Sequence, residues 1–163
     1  VVNSPLSLRG TLSAITLSGS PTATSGIVLT QAASGSRITS LAFSGFSGTA
    51  IQLNSAQNVQ LTGLKVSSSG IGLGISGNSQ GTIVQGNTFS LNPIGINLTS
   101  ATGVMIGGLA VPQRNTIEGS TRAGIFASGF CTRSSVIKTV FPRNPRTPVP
   151  YNVRSSRNLR IVR

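Results

Sequence analysis

One short motif recurs along the chain and decides the fold: Gly26-Ile27-Val28-Leu29, Ala50-Ile51-Gln52-Leu53, Gly72-Leu73-Gly74-Ile75, Gly95-Ile96-Asn97-Leu98 and Gly124-Ile125-Phe126-Ala127. In each copy a small residue precedes two apolar residues that are separated by one position. Such alternation is typical of a short strand with one buried face. The first three steps between copies are 24, 22 and 23 residues, and the fourth is 29. The longer step predicts an insertion near residues 109–114.

A second apolar motif recurs in step with the first, every 23 residues: Ile38-x-x-Leu41-x-Phe43, Leu61-x-x-Leu64-x-Val66 and Val84-x-x-Asn87-x-Phe89. A fourth copy begins at Ile106 and resumes after the insertion, and residues 136–141 form a looser fifth copy. Residues 153–161 also align with residues 53–61, with the apolar ends and one Asn in the same places. Both motifs therefore share one period along most of the chain.

Two or three short strands in about 23 residues cannot bury their apolar faces alone. Stacking successive coils about 4.8 Å apart buries them, because each strand then pairs in parallel with its copies above and below. An antiparallel sandwich or barrel with turns every 8–12 residues is the alternative. The shared period favours stacked coils, so we predict an all-β parallel β-helix of about six rungs, where a rung is one coil of the solenoid.

The domain organisation follows from the same alignment. We predict an N-terminal extension or first partial rung at residues 1–24 and β-helix rungs at residues 25–141. A Pro-rich loop at residues 142–150 and an Arg-rich terminal rung at residues 151–163 follow.

These stretches resemble the right-handed parallel β-helix repeats of the pectate-lyase-like superfamily. The resemblance rests on Gly81-Thr-Ile-Val-Gln-Gly-Asn87-Thr-Phe89-Ser-Leu-Asn92-Pro-Ile-Gly95-Ile, and on Gly103-Val-Met-Ile-Gly-Gly108 followed by Arg114-Asn-Thr-Ile-Glu-Gly119. It covers roughly residues 25–162 and implies right-handed coiling. It points to fold rather than function, because that superfamily includes lyases, hydrolases, epimerases, adhesins and phage tailspikes.

The charge composition excludes most familiar enzyme chemistry. Thirteen Lys and Arg residues accompany one carboxylate, Glu118, and no histidine, which gives a formal net charge of +12. Hydrolysis by paired carboxylates needs two acidic groups, and Ser-His-Asp or Cys-His catalysis needs a histidine base. The superfamily's lyases hold calcium on acidic residues and its hydrolases use clustered Asp, so neither pattern transfers to this chain. We expect a non-enzymatic chain without metal or cofactor.

Basic residues are concentrated near the C-terminal end, where eight of the thirteen occupy the last 31 positions. They are our candidate contacts for a polyanion or a partner chain: Arg133, Lys138, Arg143, Arg146, Arg154, Arg157, Arg160 and Arg163. Acidic polysaccharide, nucleic acid or an acidic protein surface would all bind such a patch, with an affinity that falls with salt. Charge that protects an exposed terminal strand edge is the alternative. Sequence-specific nucleic-acid binding is not expected, because few aromatic residues are present to stack on bases.

Other polar residues have structural interpretations. Glu118 is predicted to be a solvated corner residue or a partner for Arg122, and Cys131 a buried small residue rather than a link between chains. The sequon Asn97-Leu98-Thr99 lies in a predicted strand, so we do not expect glycosylation there. Four asparagines fall at predicted corners, where Asn tolerates turn geometry and can stack along the rod: Asn58, Asn87, Asn115 and Asn158.

Taken together, these patterns predict a structural or adhesive rod in a larger secreted or cell-surface assembly, either extracellular or periplasmic. No run of 18 apolar residues is present, so no transmembrane segment is predicted. A start at Val1, with neither an initiator Met nor a signal peptide, favours a processed product or a piece of a longer chain. Because neither end offers a capping helix, we expect contacts with other protein chains or end-to-end copies. The loops at residues 109–114 and 142–150 are the candidate contacts.

Two alternatives remain. The chain could be a binding module for acidic glycan or another polyanion that uses its Arg-rich end. It could also be a fragment of a polysaccharide lyase or hydrolase whose catalytic carboxylates lie outside this sequence.

Overall fold

The computed structural model describes residues 1–10, 15–20, 22–142, 151–154 and 159–162, with the backbone alone for residues 151–154. In this part of the chain, strands stack in parallel on three faces of a rod. Face 1 contains β3 (Ser25–Leu29), β6 (Thr49–Asn54), the first part of β9 (Ile71–Gln85), the first part of β11 (Ile94–Gly107), β13 (Ala123–Ser128) and β15 (Tyr151–Arg154).

Face 2 follows face 1 along the chain in each rung. It contains β1 (Ser7–Arg9), β4 (Arg37–Thr39), β7 (Gln60–Thr62), the second parts of β9 and β11, β14 (Ser135–Ile137) and β16 (Arg160–Val162). Face 3 contains β2 (Thr16–Ser18), β5 (Ala42–Ser44), β8 (Lys65–Ser67), β10 (Thr88–Ser90) and β12 (Thr116–Glu118). The all-β, parallel β-helix prediction is confirmed, with about six turns spaced about 24 residues apart.

The register places like residues above one another inside the rod. On face 1, one buried column joins strands of successive rungs: Ile27, Ile51, Leu73, Ile96 and Ile125. On face 3, Phe43, Val66, Phe89 and Ile117 form a similar buried column. Each such side chain contributes roughly 1.5–3 kcal/mol when buried. The core therefore runs the length of the described rungs.

Two long strands turn the corner between face 1 and face 2 without ending. β9 passes through Gly77 and Gly81, whose φ values are +71° and +74°. These left-handed conformations suit glycine because it has no Cβ to clash with the backbone. β11 makes the same turn with register shifts on either side of Thr102. Faces 1 and 2 are consequently joined in one sheet, while face 3 forms a separate one.

Small buried residues occupy the corner between faces 1 and 2 in successive rungs: Ala33, Ala56, Ser79, Ala101 and Cys131. Cys131 is fully buried, and its Sγ lies 3.6 Å from the Ser128 carbonyl oxygen. The prediction of a buried small residue at this position is confirmed.

Buried asparagines bond successive rungs together at the corner between faces 2 and 3. The Leu64 amide donates to Asn87 Oδ1 (2.9 Å), and Asn87 Nδ2 donates to the Leu61 carbonyl (3.0 Å). The Asn87 amide in turn donates to Asn115 Oδ1 (3.0 Å), and Asn115 Nδ2 donates to the Val84 carbonyl (2.8 Å). The expected stacking is therefore present for Asn87 and Asn115. Leu64 occupies the equivalent corner position one rung before Asn87.

The other two predicted corner asparagines differ in status. Asn58 is exposed and adopts a φ of +53°, the left-handed geometry that Asn tolerates in turns. Asn158 lies outside the described residues.

The extra residues of the longest repeat form a loop just before face 3. Thr88 pairs with Thr116, 28 positions later, whereas Ala42 pairs with Lys65 after 23. The extra residues form a loop between β11 and β12 that contains the 3-10 helix Val111–Gln113. A second 3-10 helix of the same length, Gln31–Ala33, lies at a face 1 to face 2 corner. At the N-terminal end, β1 and β2 pair with β4 and β5 as part of an earlier rung.

Asn87→Ala should destabilise the protein by roughly 2–4 kcal/mol, because it leaves the Leu64 amide and the Leu61 carbonyl buried without their side-chain partner. Asn78→Ala is the matched control, since Asn78 is exposed on the long strand β9, and we expect its effect to stay within about 0.5 kcal/mol. Urea unfolding measures both. Equal effects of the two substitutions would contradict the stacking role.

Cys131→Ala should change stability by less than about 1.5 kcal/mol, whereas Cys131→Leu should cost about 1–3 kcal/mol by overpacking the small-residue corner. In the wild-type protein, a thiol-specific reagent should react with Cys131 only after denaturant is added. Rapid labelling of the folded protein would show that the corner is open.

Candidate functional site

Faces 1 and 3 present mostly neutral outer surfaces. On face 3 most outward positions carry small hydroxyl side chains in register, and Ala42 is an apolar exception: Thr16, Ser18, Ser44, Ser67, Thr88, Ser90 and Thr116. Lys65 and Glu118 are charged exceptions on that face. On face 1 one outward column reads Val28, Gln52, Gly74, Asn97 and Phe126. Among the described residues, no group of three or more His, Cys, Asp or Glu side chains could hold a metal ion.

Three of the eight predicted basic contact residues have described side-chain positions, and they lie at one end of face 2. Arg133 is exposed in the turn before β14, with a φ of +55°. Lys138 follows β14, and its amide donates to the Val162 carbonyl (2.8 Å). Arg160 is exposed on β16, in register with Ser135 of β14. The neighbouring strands thus bring these three residues to the same end of the rod.

The side chains of the other five predicted contact residues lie outside the described part of the structure. The backbone of Arg154 lies in β15, in register with Ser128. The remaining four lie outside the described residues: Arg143, Arg146, Arg157 and Arg163.

Glu118 is exposed at the end of β12, where it continues the serine column after Ser90. Within the described part of the chain, no ion pair joins Glu118 to a basic side chain. Its position fits a solvated residue. No second acidic side chain can act together with Glu118, because Glu118 is the single Asp or Glu residue in the sequence.

Asn97 of the sequon lies on the outer side of β11, in register with Gly74 and Phe126. Its Oδ1 is buried and has no hydrogen-bond partner among the described residues, although Thr99 is exposed. The location in a strand agrees with the sequence-based prediction, and a strand centre offers poor access to a modifying enzyme.

One feature of the surface was missed by the sequence analysis. On face 2, Ile83 and Met105 point outward in register at positions where earlier rungs carry Arg37 and Gln60. All of these positions directly precede an inward apolar residue, so a pattern-based analysis reads the apolar pair as part of the core. The signal that could have revealed this pair is that Ile83 and Met105 are apolar at positions that the alternation of each strand turns outward.

The fold defines the protein as a parallel β-solenoid repeat protein. Residues 25–147 match the family described as the right handed beta helix region, and this match covers well over half of the chain. The chain belongs to that family, which fixes the handedness that strand pairing alone does not give. No curated protein matches the sequence significantly. In the described residues, no helix has the length and apolar character needed to cross a membrane.

The double substitution Arg133→Gln/Arg160→Gln should weaken binding to inorganic polyphosphate and lower the slope of log K against log salt by about 2, since roughly one counterion is released per paired charge. Lys65→Gln/Arg122→Gln removes the same charge from other parts of the surface and should change the slope by less than 1. Titrations at several salt concentrations measure both. Equal slopes for the two variants would show attraction to net charge only.

Proposed function

We propose that this β-helix is a non-enzymatic structural or adhesive rod that works within a larger secreted or cell-surface assembly, extracellular or periplasmic. The observation that carries the proposal is the uninterrupted stack of like side chains and bonded rungs, combined with outer faces that lack acid–base groupings. Such a scaffold holds its shape and presents flat surfaces. Its lack of a second carboxylate and of histidine supports a role in which it performs no chemistry.

The stack also supports stiffness along the rod. Face 2 has strands from β1 to β16 in seven successive levels. At about 4.8 Å per level these strands span about 29 Å. The backbone bonds between levels and the asparagine stack resist bending. A rod of this kind keeps partner sites at a constant separation.

A second candidate function is binding of a polyanion, such as an acidic glycan, through the Arg-rich end. Arg133, Lys138 and Arg160 favour it because they lie together and the only carboxylate is on another face. Binding dominated by such charges is strongly weakened by salt.

Size-exclusion chromatography with light scattering, run on material from the native source in low and high salt, tests the structural proposal. We expect a large assembly that survives high salt, with co-eluting chains that identify the partners. A monomer released by salt would favour the polyanion-binding module. A monomer in all conditions would contradict the structural proposal.

The non-enzymatic proposal predicts that neither the wild type nor Glu118→Gln cleaves any member of a panel of neutral and acidic polysaccharides, with or without calcium. Reducing-end and unsaturated-product assays measure hydrolysis and elimination separately. Cleavage by the wild type that Glu118→Gln abolishes would overturn the proposal, because it would place catalysis on this chain's own carboxylate.

A further inference from the structure

Among the described side chains, face 2 combines basic ends with apolar surface in a way that faces 1 and 3 do not. Its first two levels carry exposed Arg9 and Arg37, and its last level carries exposed Arg160. Arg133 and Lys138 lie at the two corners that border this last end. Basic residues therefore occupy both ends of the face.

The middle of face 2 carries no charge, and apolar side chains lie side by side among its polar ones. Ile83 and Met105 are half-buried neighbours in adjacent strands, and Ile137 follows one level further along. The other side chains that face outward on these levels are neutral and polar, namely Gln60, Thr62, Gln85 and Ser135, and Gly107 is buried. No lysine or arginine lies on β7 or on the face 2 parts of β9 and β11.

This distribution does not suit a partner with uniform charge. From Arg37 on β4 to Arg160 on β16 there are five steps of about 4.8 Å, a distance of about 24 Å. A nucleic-acid strand carries a phosphate every few ångströms, so its central charges would lie over Ile83 and Met105 without partners. A folded protein surface can instead place acidic groups around an apolar centre. That arrangement matches ordinary protein interfaces, in which Met and Arg are enriched and the rim is polar.

We propose that face 2 is the docking surface for a different protein, one whose surface has an apolar centre flanked by acidic side chains. The inference rests on the proposed assembly role and names the surface and the partner's chemistry. Charge excludes a second copy of this chain as the occupant, because two faces with basic ends would repel one another, and the whole chain has one carboxylate to offset thirteen basic residues.

The loop between β11 and β12 extends this surface. Face 2 alone is three residues wide and about 29 Å long, an area of about 300 Å², whereas a stable interface covers about 800 Å² on each partner. The loop begins directly after the face 2 part of β11, and its Leu109 and Val111 are 70% and 69% exposed. Backbone bonding of the Gly86 amide to the Gln113 carbonyl (3.1 Å) holds the loop beside the rim of the face. Its apolar side chains add area on the side of face 2 nearest face 3.

A pair of synthetic peptides provides the first test. The patterned peptide has 11 residues, with three Glu at each end and a Ser-Leu-Ile-Leu-Ser centre. Its extended length of up to about 36–40 Å reaches both basic ends. The permuted peptide has the same composition, with the six Glu together in the centre. We expect the patterned peptide to bind roughly tenfold more tightly in fluorescence-anisotropy titrations. Equal affinities would overturn the proposal, because they would leave net charge as the only attraction.

Met105→Lys tests the apolar centre in the protein itself. Docking predicts roughly tenfold weaker binding of the patterned peptide, although the substitution adds a positive charge. Val28→Lys on face 1 is the matched control, since it replaces a half-buried outward apolar residue and should leave affinity unchanged within about twofold. Tighter binding to both variants would contradict docking at face 2.

Two further measurements complete the test. If thermal unfolding shows that Met105→Lys does not fold, Ile83→Lys and Met105→Gln address the same contact. Single-stranded DNA of 11 nucleotides and a carboxylated oligosaccharide of similar length serve as uniform polyanions. Tighter binding of either one, unaffected by the substitution, would identify a uniform polyanion as the occupant and overturn the protein partner.

The assembly separates this inference from the proposed function. If the native assembly persists with Met105→Lys in place, face 2 is not the docking surface but the structural proposal stands. If the wild type forms no assembly in any salt, the structural proposal itself fails.

Discussion

Parallel backbone hydrogen bonding between successive coils is the interaction on which the rest of this structure depends. A single coil has strands of three to six residues on most of its faces and cannot enclose a core. Once coils pair in register, every inward residue lies on its equivalent from the coil before, and isoleucine columns such as Ile51 on Ile27 follow directly. Polar corner residues then acquire partners in the same way, because Asn115 meets Asn87 at the distance that the strands impose.

The periodicity of the core was predictable from the sequence because burial dictates it. Positions such as Leu61 and Val84 must be apolar in every coil, so their spacing reports the length of a coil directly. The corner asparagines were predictable for a related reason, since few residue types satisfy both the turn and the buried backbone. Asn92, which accepts from the Ser69 amide (3.0 Å) and donates to the Val66 carbonyl (2.9 Å), was not singled out. The neighbouring coils have serine at the equivalent position, so Asn92 does not belong to a repeated Asn pattern in the sequence.

The candidate surface was harder to predict because no repeat governs it. Outward positions tolerate many residue types, so Arg37, Gln60, Ile83, Met105 and Ser135 occupy one column without a common chemistry. The basic end was predictable from the density of Lys and Arg residues alone. The face on which these residues lie was not predictable, because it depends on which side of each three-residue strand is buried. Only the register brings the apolar pair and the two basic ends onto one surface.

The loop between β11 and β12 has a wider consequence. Extra residues enter the chain there, yet Phe89 still pairs with Ile117 and the core column continues unbroken. Corners can therefore accept foreign sequence while the interior keeps its spacing. This architecture separates the evolution of recognition from the evolution of stability. For a protein engineer, the same corner is a natural place to graft a peptide epitope and display it at a defined height on a stiff support.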